Sequence, residues 1–313
     1  MSYLTGWGLR KKITICSSDI SADLNNHPVI IHLSSDCGKG SYDASDIFTE
    51  LSTNSLKIAV TDVDNTECYV EVKEWNSDEA WIYAKIPAIS SSADTTIYLY
   101  YDRDHDDNTD HVGVTGSAVA QNVWDSSYNI VYLMQNNGSN FLLDSTSNEN
   151  SANINGATET SAGPLGTYLA FDGVDDNCVS TSDLPAMSAM TAEIYYSSGL
   201  LGNKTLFGSA DGAGYLDTNG WREPIRGTGQ IVFTAGTGVG TGGYINGNQV
   251  DETSYIADYI TGTKIGMIND DDSFAEKDFA LTLPSLPLYI GSASNGGYAE
   301  VDIYEVRISS TAR

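Results

Sequence analysis

A period of two runs through this chain almost from end to end, and it constrains the fold more than any other feature. "KKITI", "HPVIIHL", "LKIAVTD", "CYVEVKEW", "AWIYAKIP" and "TTIYLYY" alternate apolar, β-branched and aromatic residues with polar ones, and predict six strands in the first hundred residues. The pattern resumes in "VWDSSYNIVYLM", "YLAFDGVDDNCVST", "AMTAEIYY", "KTLFGSA", "QIVFTAG", "GGYINGNQV", "TKIGMIN", "LPLYIGSA" and "EVDIYEVRIS". Nothing in the first half sustains a helical apolar period, so an all-β protein of antiparallel sandwiches is expected. Asp172-Gly173 and Asn246-Gly247 each sit between apolar alternations and predict tight hairpins.

Between Asp102 and Gln121 the pattern lapses into "DRDHDDNTDHVGVTGSAVAQ", acidic and then small and polar. A length of 313 residues suits two domains, and this stretch divides them: a first domain over 1–104, a linker over 105–122 and a second domain over 123–313. The 42 acidic residues against 15 basic ones, a formal charge of −27, repel nucleic acid and anionic membranes, so neither is an expected partner. No apolar run is long enough to span a bilayer. The opening "MSYLTGWGLRKKITI" has its basic cluster after the aromatic stretch and lacks the apolar core of a secretory signal. Cys16, Cys37, Cys68 and Cys178 form no C-x-x-C pair, which argues against a structural zinc and for reduced thiols, with room for at most one disulfide inside the first half.

In the second half, "YLAFDGVDDNCVST", "GGYINGNQV" and "LPLYIGSASNGGYAEVDIYEVRIS" follow one another in the order of an early hairpin, a mid-domain hairpin turning at Asn-Gly, and a closing strand pair. In this the second half resembles the laminin-G-like group of concanavalin-type jelly rolls. The first half, through "GWGLRKKITI", "LNNHPVIIHL", "EVKEWNSDEAWIYAKIP" and "TTIYLYYD", resembles an uncharacterised β-domain family that often precedes such jelly rolls in extracellular and phage-encoded proteins. The junction "VWDSSYNIVYLM…LLDSTSNENSANING" fits that arrangement. The resemblance implies two β-sandwiches and a virion or extracellular setting, such as a tail or head fibre, with other virion or filament proteins as partners. It also implies a chain cut short, since relatives continue past "SSTAR".

Several stretches bear on chemistry. In "EVDIYE", Glu300, Asp302 and Glu305 have the E-x-D-x-x-E spacing of jelly-roll glucanases, where paired carboxylates hydrolyse a glycosidic bond. Plain alternation puts Glu305 on the face opposite Glu300 and Asp302, so the catalytic reading requires a bulge; otherwise Val306 and Ile308 are core residues of a closing strand. Asp172, Asp175 and Asp176 in "FDGVDD" are hard oxygen ligands of the kind that suit Ca²⁺, which such jelly rolls often carry at a rim. Asp102, Asp104 and Asp106 begin like a calcium loop, but Asp107 stands where the loop needs glycine and Gly113 where it needs glutamate. "GVGTGG" lacks the strand–helix context of a dinucleotide loop, and no histidine lies near a nucleophile elbow.

The Gly-rich, strand-poor stretch from Gly208 to Gln230 gathers Tyr215, Asp217, Asn219, Trp221, Arg222 and Arg226, the aromatic and hydrogen-bonding mixture that sugar rings require. Trp221 packed in the core is the competing reading. The sequence thus points to a non-catalytic protein that binds a glycan or cell-surface ligand. The alternatives are a purely structural, self-associating virion or filament subunit and a glycoside hydrolase.

Overall fold

The computed structural model describes residues 3–197, 204–211, 219–225, 230–237, 243–249, 253–261, 263–269, 274–279, 281–294 and 296–311. The chain divides into two compact units, Met1–Asp125 and Ser126–Arg313, each an all-β sandwich with its own apolar core.

In the first unit one sheet runs in the order Leu9–Ile15, Thr95–Tyr101, Ile58–Thr61, Glu67–Cys68, and the other Leu24–Leu33, Ala80–Ile89, Val70–Trp75, Val112–Val114. Every pairing is antiparallel except that of Val70–Trp75 with Val112–Val114. All six strands expected in this half form. The helix Ser45–Leu51 also forms, burying Ile47, Phe48 and Leu51; at seven residues it is too short to show a period in the sequence.

The stretch read as a linker is instead part of this unit. Asp102 accepts the backbone N–H groups of Gly8 and Asp104, each at 2.9 Å. His105 stacks on Trp7 with ring centroids 3.9 Å apart. Asn108 donates to the Ile58 carbonyl and to Glu67, and Trp124 donates to the fully buried Glu71 at 2.6 Å. Asp102, at the head of the acidic run, is a turn-forming residue whose short carboxylate takes a local N–H group.

The second unit stacks two sheets. One has the order Phe141–Leu142, Ala152–Asn155, Asn177–Leu184, Leu286–Ile290, Lys204–Asp211, Asn219–Ile225, Gln230–Thr237, Gly243–Gln249. The other runs Thr158–Gly163, Gly166–Asp172, Glu300–Ser309, Met190–Ser197, Thr253–Ile260, Lys264–Asn269, Phe274–Asp278, with Tyr128–Tyr132 beside the second half of Glu300–Ser309. The last strand of the chain therefore lies in the middle of its sheet.

Both predicted hairpins are corrected. Asp172-Gly173 joins strands of opposite sheets, and Gly173, at φ +76°, lets the backbone pass so close that a Cβ would stand 3.0 Å from the Glu300 nitrogen. Asn246-Gly247 lies inside the strand Gly243–Gln249, where the register against Gln230–Thr237 slips by one residue; the pair accommodates a bulge rather than a turn.

A tyrosine row on the outer face of one sheet

The strand Glu300–Ser309 positions the candidate site. Val301 and Ile303 face the core, and so do Val306 and Ile308, a change of parity within one strand. The register shows its origin: Ile303 lies opposite Tyr196 and Glu305 opposite Tyr195, so Tyr304 is the extra residue of a bulge. Asp302, Tyr304, Glu305 and Arg307 thereby share the outer face with Glu300. The bulge that the catalytic reading required is present.

Neighbouring strands bring tyrosines to the same face. Leu169 and Phe171 point into the core, leaving Tyr168, Ala170 and Asp172 outward, and Ile194 and Tyr196 point inward, leaving Glu193, Tyr195 and Ser197 outward. The Tyr168 and Tyr304 rings meet edge-on with centroids 5.2 Å apart, and the Tyr195 and Tyr304 centroids are 5.3 Å apart. Tyr255 lies directly opposite Tyr195 and donates its O–H to Glu193 at 2.5 Å. Four tyrosines thus cross four adjacent strands, a row about 14 Å long at the usual strand spacing. Tyr304 is buried; Tyr168, Tyr195 and Tyr255 are half-buried.

Acidic groups flank the row. Asp302 lies opposite Ala170, and its backbone N–H donates to the Ser197 hydroxyl at 3.0 Å. Burial holds the Asp302 carboxyl above the ordinary carboxylate range. The Tyr304 phenol is also raised, by burial first and then by the Asp302 charge. On the other side of the row Glu305 is ion-paired with Arg307 and 6% exposed.

Along the strand direction the face ends at the rim, where Asp172 lies opposite Glu300. There the carboxylates of Asp172, Asp175 and Asp176 have oxygens within 4.8 Å of one another. Asp176 is buried and accepts the Asp172 N–H at 2.9 Å, while Asp172 accepts the Val174 N–H at 2.8 Å. Gly156 is what admits Asp176, since a Cβ there would stand 1.9 Å from its oxygen. Lys204 donates to the Gly173 carbonyl of the same turn at 3.3 Å. The donor set is all carboxylate and fits a hard cation, and Asp172 and Asp176 also serve as acceptors that shape the turn.

The loop expected to carry the sugar site is placed differently. The stretch from Gly208 to Gln230 contains the strand Asn219–Ile225, paired on both sides. Trp221 is 1% exposed and packs edge-on against Phe207 at 5.1 Å, so its ring is a core residue and offers no platform. Arg222 is buried, and Asn219 begins the strand. Tyr215, Asp217 and Arg226 lie outside the described residues. The tyrosine row was missed because its members come from four distant segments; the available signal was a tyrosine at an outward alternation position in each of "GTYLAFD", "EIYYS", "TSYIADY" and "EVDIYE".

No family model matches the sequence. No curated protein matches it either. Among solved structures the chain is similar to the binding domain of botulinum neurotoxin serotype D/C VPI 5993, at 11% identity and a TM-score of 0.46, over 60% of this chain and 49% of that one. It is also similar to the binding domain of botulinum neurotoxin DC in complex with SialylT, at 9% identity, a TM-score of 0.45 and coverage of 60% and 48%. The same domain in complex with rat synaptotagmin II gives 10% identity, a TM-score of 0.44 and coverage of 60% and 49%. The chain spans about half the length of these structures, and likeness at this level carries no argument about function.

Proposed function

We propose that the second unit is a non-catalytic glycan-binding module of an adhesion or attachment protein, and that the half-buried Tyr168, Tyr195 and Tyr255 are its platform, with the buried Tyr304 packed among them. The observation that carries this reading is the row itself: register and alternation bring Tyr168, Tyr195, Tyr304 and Tyr255 to one face with Asp302, Ser197 and Glu193. Pyranose rings present apolar C–H faces to aromatic rings and hydroxyls to carboxylates, and this face offers both.

The bulge at Tyr304 puts Glu305 on the face of Asp302, which favours the hydrolase as the second reading. Against it, Glu305 is buried and neutralised by Arg307, so it is in no position to act as nucleophile or proton donor. A virion appendage or extracellular filament remains the setting proposed for the whole chain, on the resemblance of its first half, and Ca²⁺ held by Asp172, Asp175 and Asp176 is proposed as a brace of the rim. A glycan array probed with the full chain, with and without EDTA, beside a reducing-end assay on the glycans it binds, tests these points together. Binding without new reducing ends supports the reading, and loss on chelation with recovery in Ca²⁺ supports the brace. Release of reducing ends, abolished by Glu305→Gln, overturns it in favour of the hydrolase; no binding at all favours a structural subunit.

A further inference from the structure

Asp302 stands out on the outer face. It is half-buried beside Tyr304 and Ser197, over a strand position whose occupant, Ala170, is too small to cover it. None of the ion pairs among the described residues includes it. Arg307, the cation of its own strand, lies beyond the bulge and is held by Glu305, while Lys204 is engaged by the Gly173 carbonyl. Burial without a charge partner is also what lifts the Asp302 carboxyl above its ordinary range.

A carboxylate in this state, beside tyrosine rings and within reach of an acidic rim, is complementary to a positive charge in two ways. An ammonium would pair with the carboxylate, and ring faces attract a cation. An anionic ligand would meet Asp302, Glu193, Glu300 and Asp172 on a face whose one arginine, Arg307, is paired with Glu305, in a chain whose net charge is −27. Resting on the reading of this face as glycan-binding, we infer that its ligand is an amino sugar: a hexosamine chain with free ammonium groups, one of them seated on Asp302 while pyranose rings lie along Tyr168 and Tyr195. Carboxylated and sulfated glycans are excluded by the same charges.

The test is calorimetric titration of the full chain with a glucosamine tetramer, its fully N-acetylated counterpart and a sialylated trisaccharide. The variants are Asp302→Asn, Tyr195→Ala and, as a control for bulk charge, Asp78→Asn on an exposed turn of the first unit. The glucosamine tetramer is expected to bind at least about tenfold more tightly than the N-acetylated one, and Asp302→Asn to remove that difference while Asp78→Asn keeps it. Equal affinity for the two tetramers, with both sensitive to Tyr195→Ala, overturns the charge assignment and leaves the glycan face standing. Equal loss in Asp302→Asn and Asp78→Asn assigns the preference to bulk charge and overturns it too, as does tight binding of the sialylated sugar. Failure of every sugar to bind overturns the glycan face itself, and the inference with it.

Discussion

Replacing Asp144 by asparagine removes half of an acceptor set on which the loop between Phe141–Leu142 and Ala152–Asn155 is built. Asp144 is 2% exposed. Its Oδ1 accepts the N–H groups of Val131 and Thr146, each at 3.0 Å, and its Oδ2 accepts the Thr146 hydroxyl at 2.8 Å and the Asn150 N–H at 3.0 Å. The loop so fixed carries Asn148, which donates to the carbonyls of Tyr128 and Asn129, and Asn150, which exchanges hydrogen bonds with the backbone of Ser182. An amide that keeps the Oδ1 partners turns an NH₂ toward Thr146 and Asn150. The hydroxyl can reverse and accept, but the Asn150 N–H is left buried without an acceptor. One orphaned N–H costs about 1–3 kcal/mol, and because burial holds the Asp144 carboxyl above its ordinary range, removing its charge adds nothing to this cost. For a unit of this size that lowers the unfolding midpoint by about 3–9 °C, read by calorimetry of the full chain. A shift under about 2 °C would refute the argument, because the loop would then be held by something other than this carboxylate.

Ser52 ends the helix Ser45–Leu51 at φ 52° and ψ −119°, a conformation suited only to glycine, while its carbonyl accepts the Trp75 indole N–H. Ser52→Gly should therefore stabilise the first unit by about 1 kcal/mol in urea unfolding, and a loss of stability would contradict the strain. Cys68 is buried, its thiol pushed up to about 12 by burial and then by Asp62 and Glu67; Cys178 is buried and raised likewise. A thiol reagent should titrate Cys16 and Cys37 promptly and the other two only after unfolding; four prompt thiols would show that the cores are open. Asp46 loses solvent on folding, which raises its carboxyl, but Lys11 and the Tyr101 hydroxyl outweigh this and hold it below the usual range. The folded value lies below the unfolded one, so the stabilisation is present above about pH 4 and disappears as pH falls through the folded value. The stability difference between the wild type and Asp46→Asn should shrink over that window, and a constant difference would contradict the pairing.

Alternation along each strand is a local property of the chain, which is why the all-β class and the strands of the first unit are legible in the sequence. The rest depends on relations between distant segments. Asp172-Gly173 looks like a hairpin because the sequence shows only that the chain turns, and not that the next strand joins the opposite sheet. Asn246-Gly247 satisfies the backbone demands of a bulge as well as those of a turn. Around Trp221, glycines and Pro224 mask a strand, and a large aromatic among them reads as a binding residue until its neighbours, Phe207 and Phe233, are known. Whether Glu305 joins Asp302 turned on one inserted residue. The sequence states that condition, and only the pairing with Tyr195 and Tyr196 shows that Tyr304 meets it.

The measurement that bears most directly on the glycan face is the affinity of a sugar recovered from the array for the wild type, Tyr168→Ala and Tyr195→Ala, with the unfolding of each variant followed in parallel. Loss of one stacking ring should weaken binding about tenfold, while stability changes by no more than a half-buried tyrosine accounts for, about 1–2 kcal/mol. Unchanged affinity in both variants would place the ligand elsewhere on the molecule and leave the tyrosine row a packing feature of the sheet.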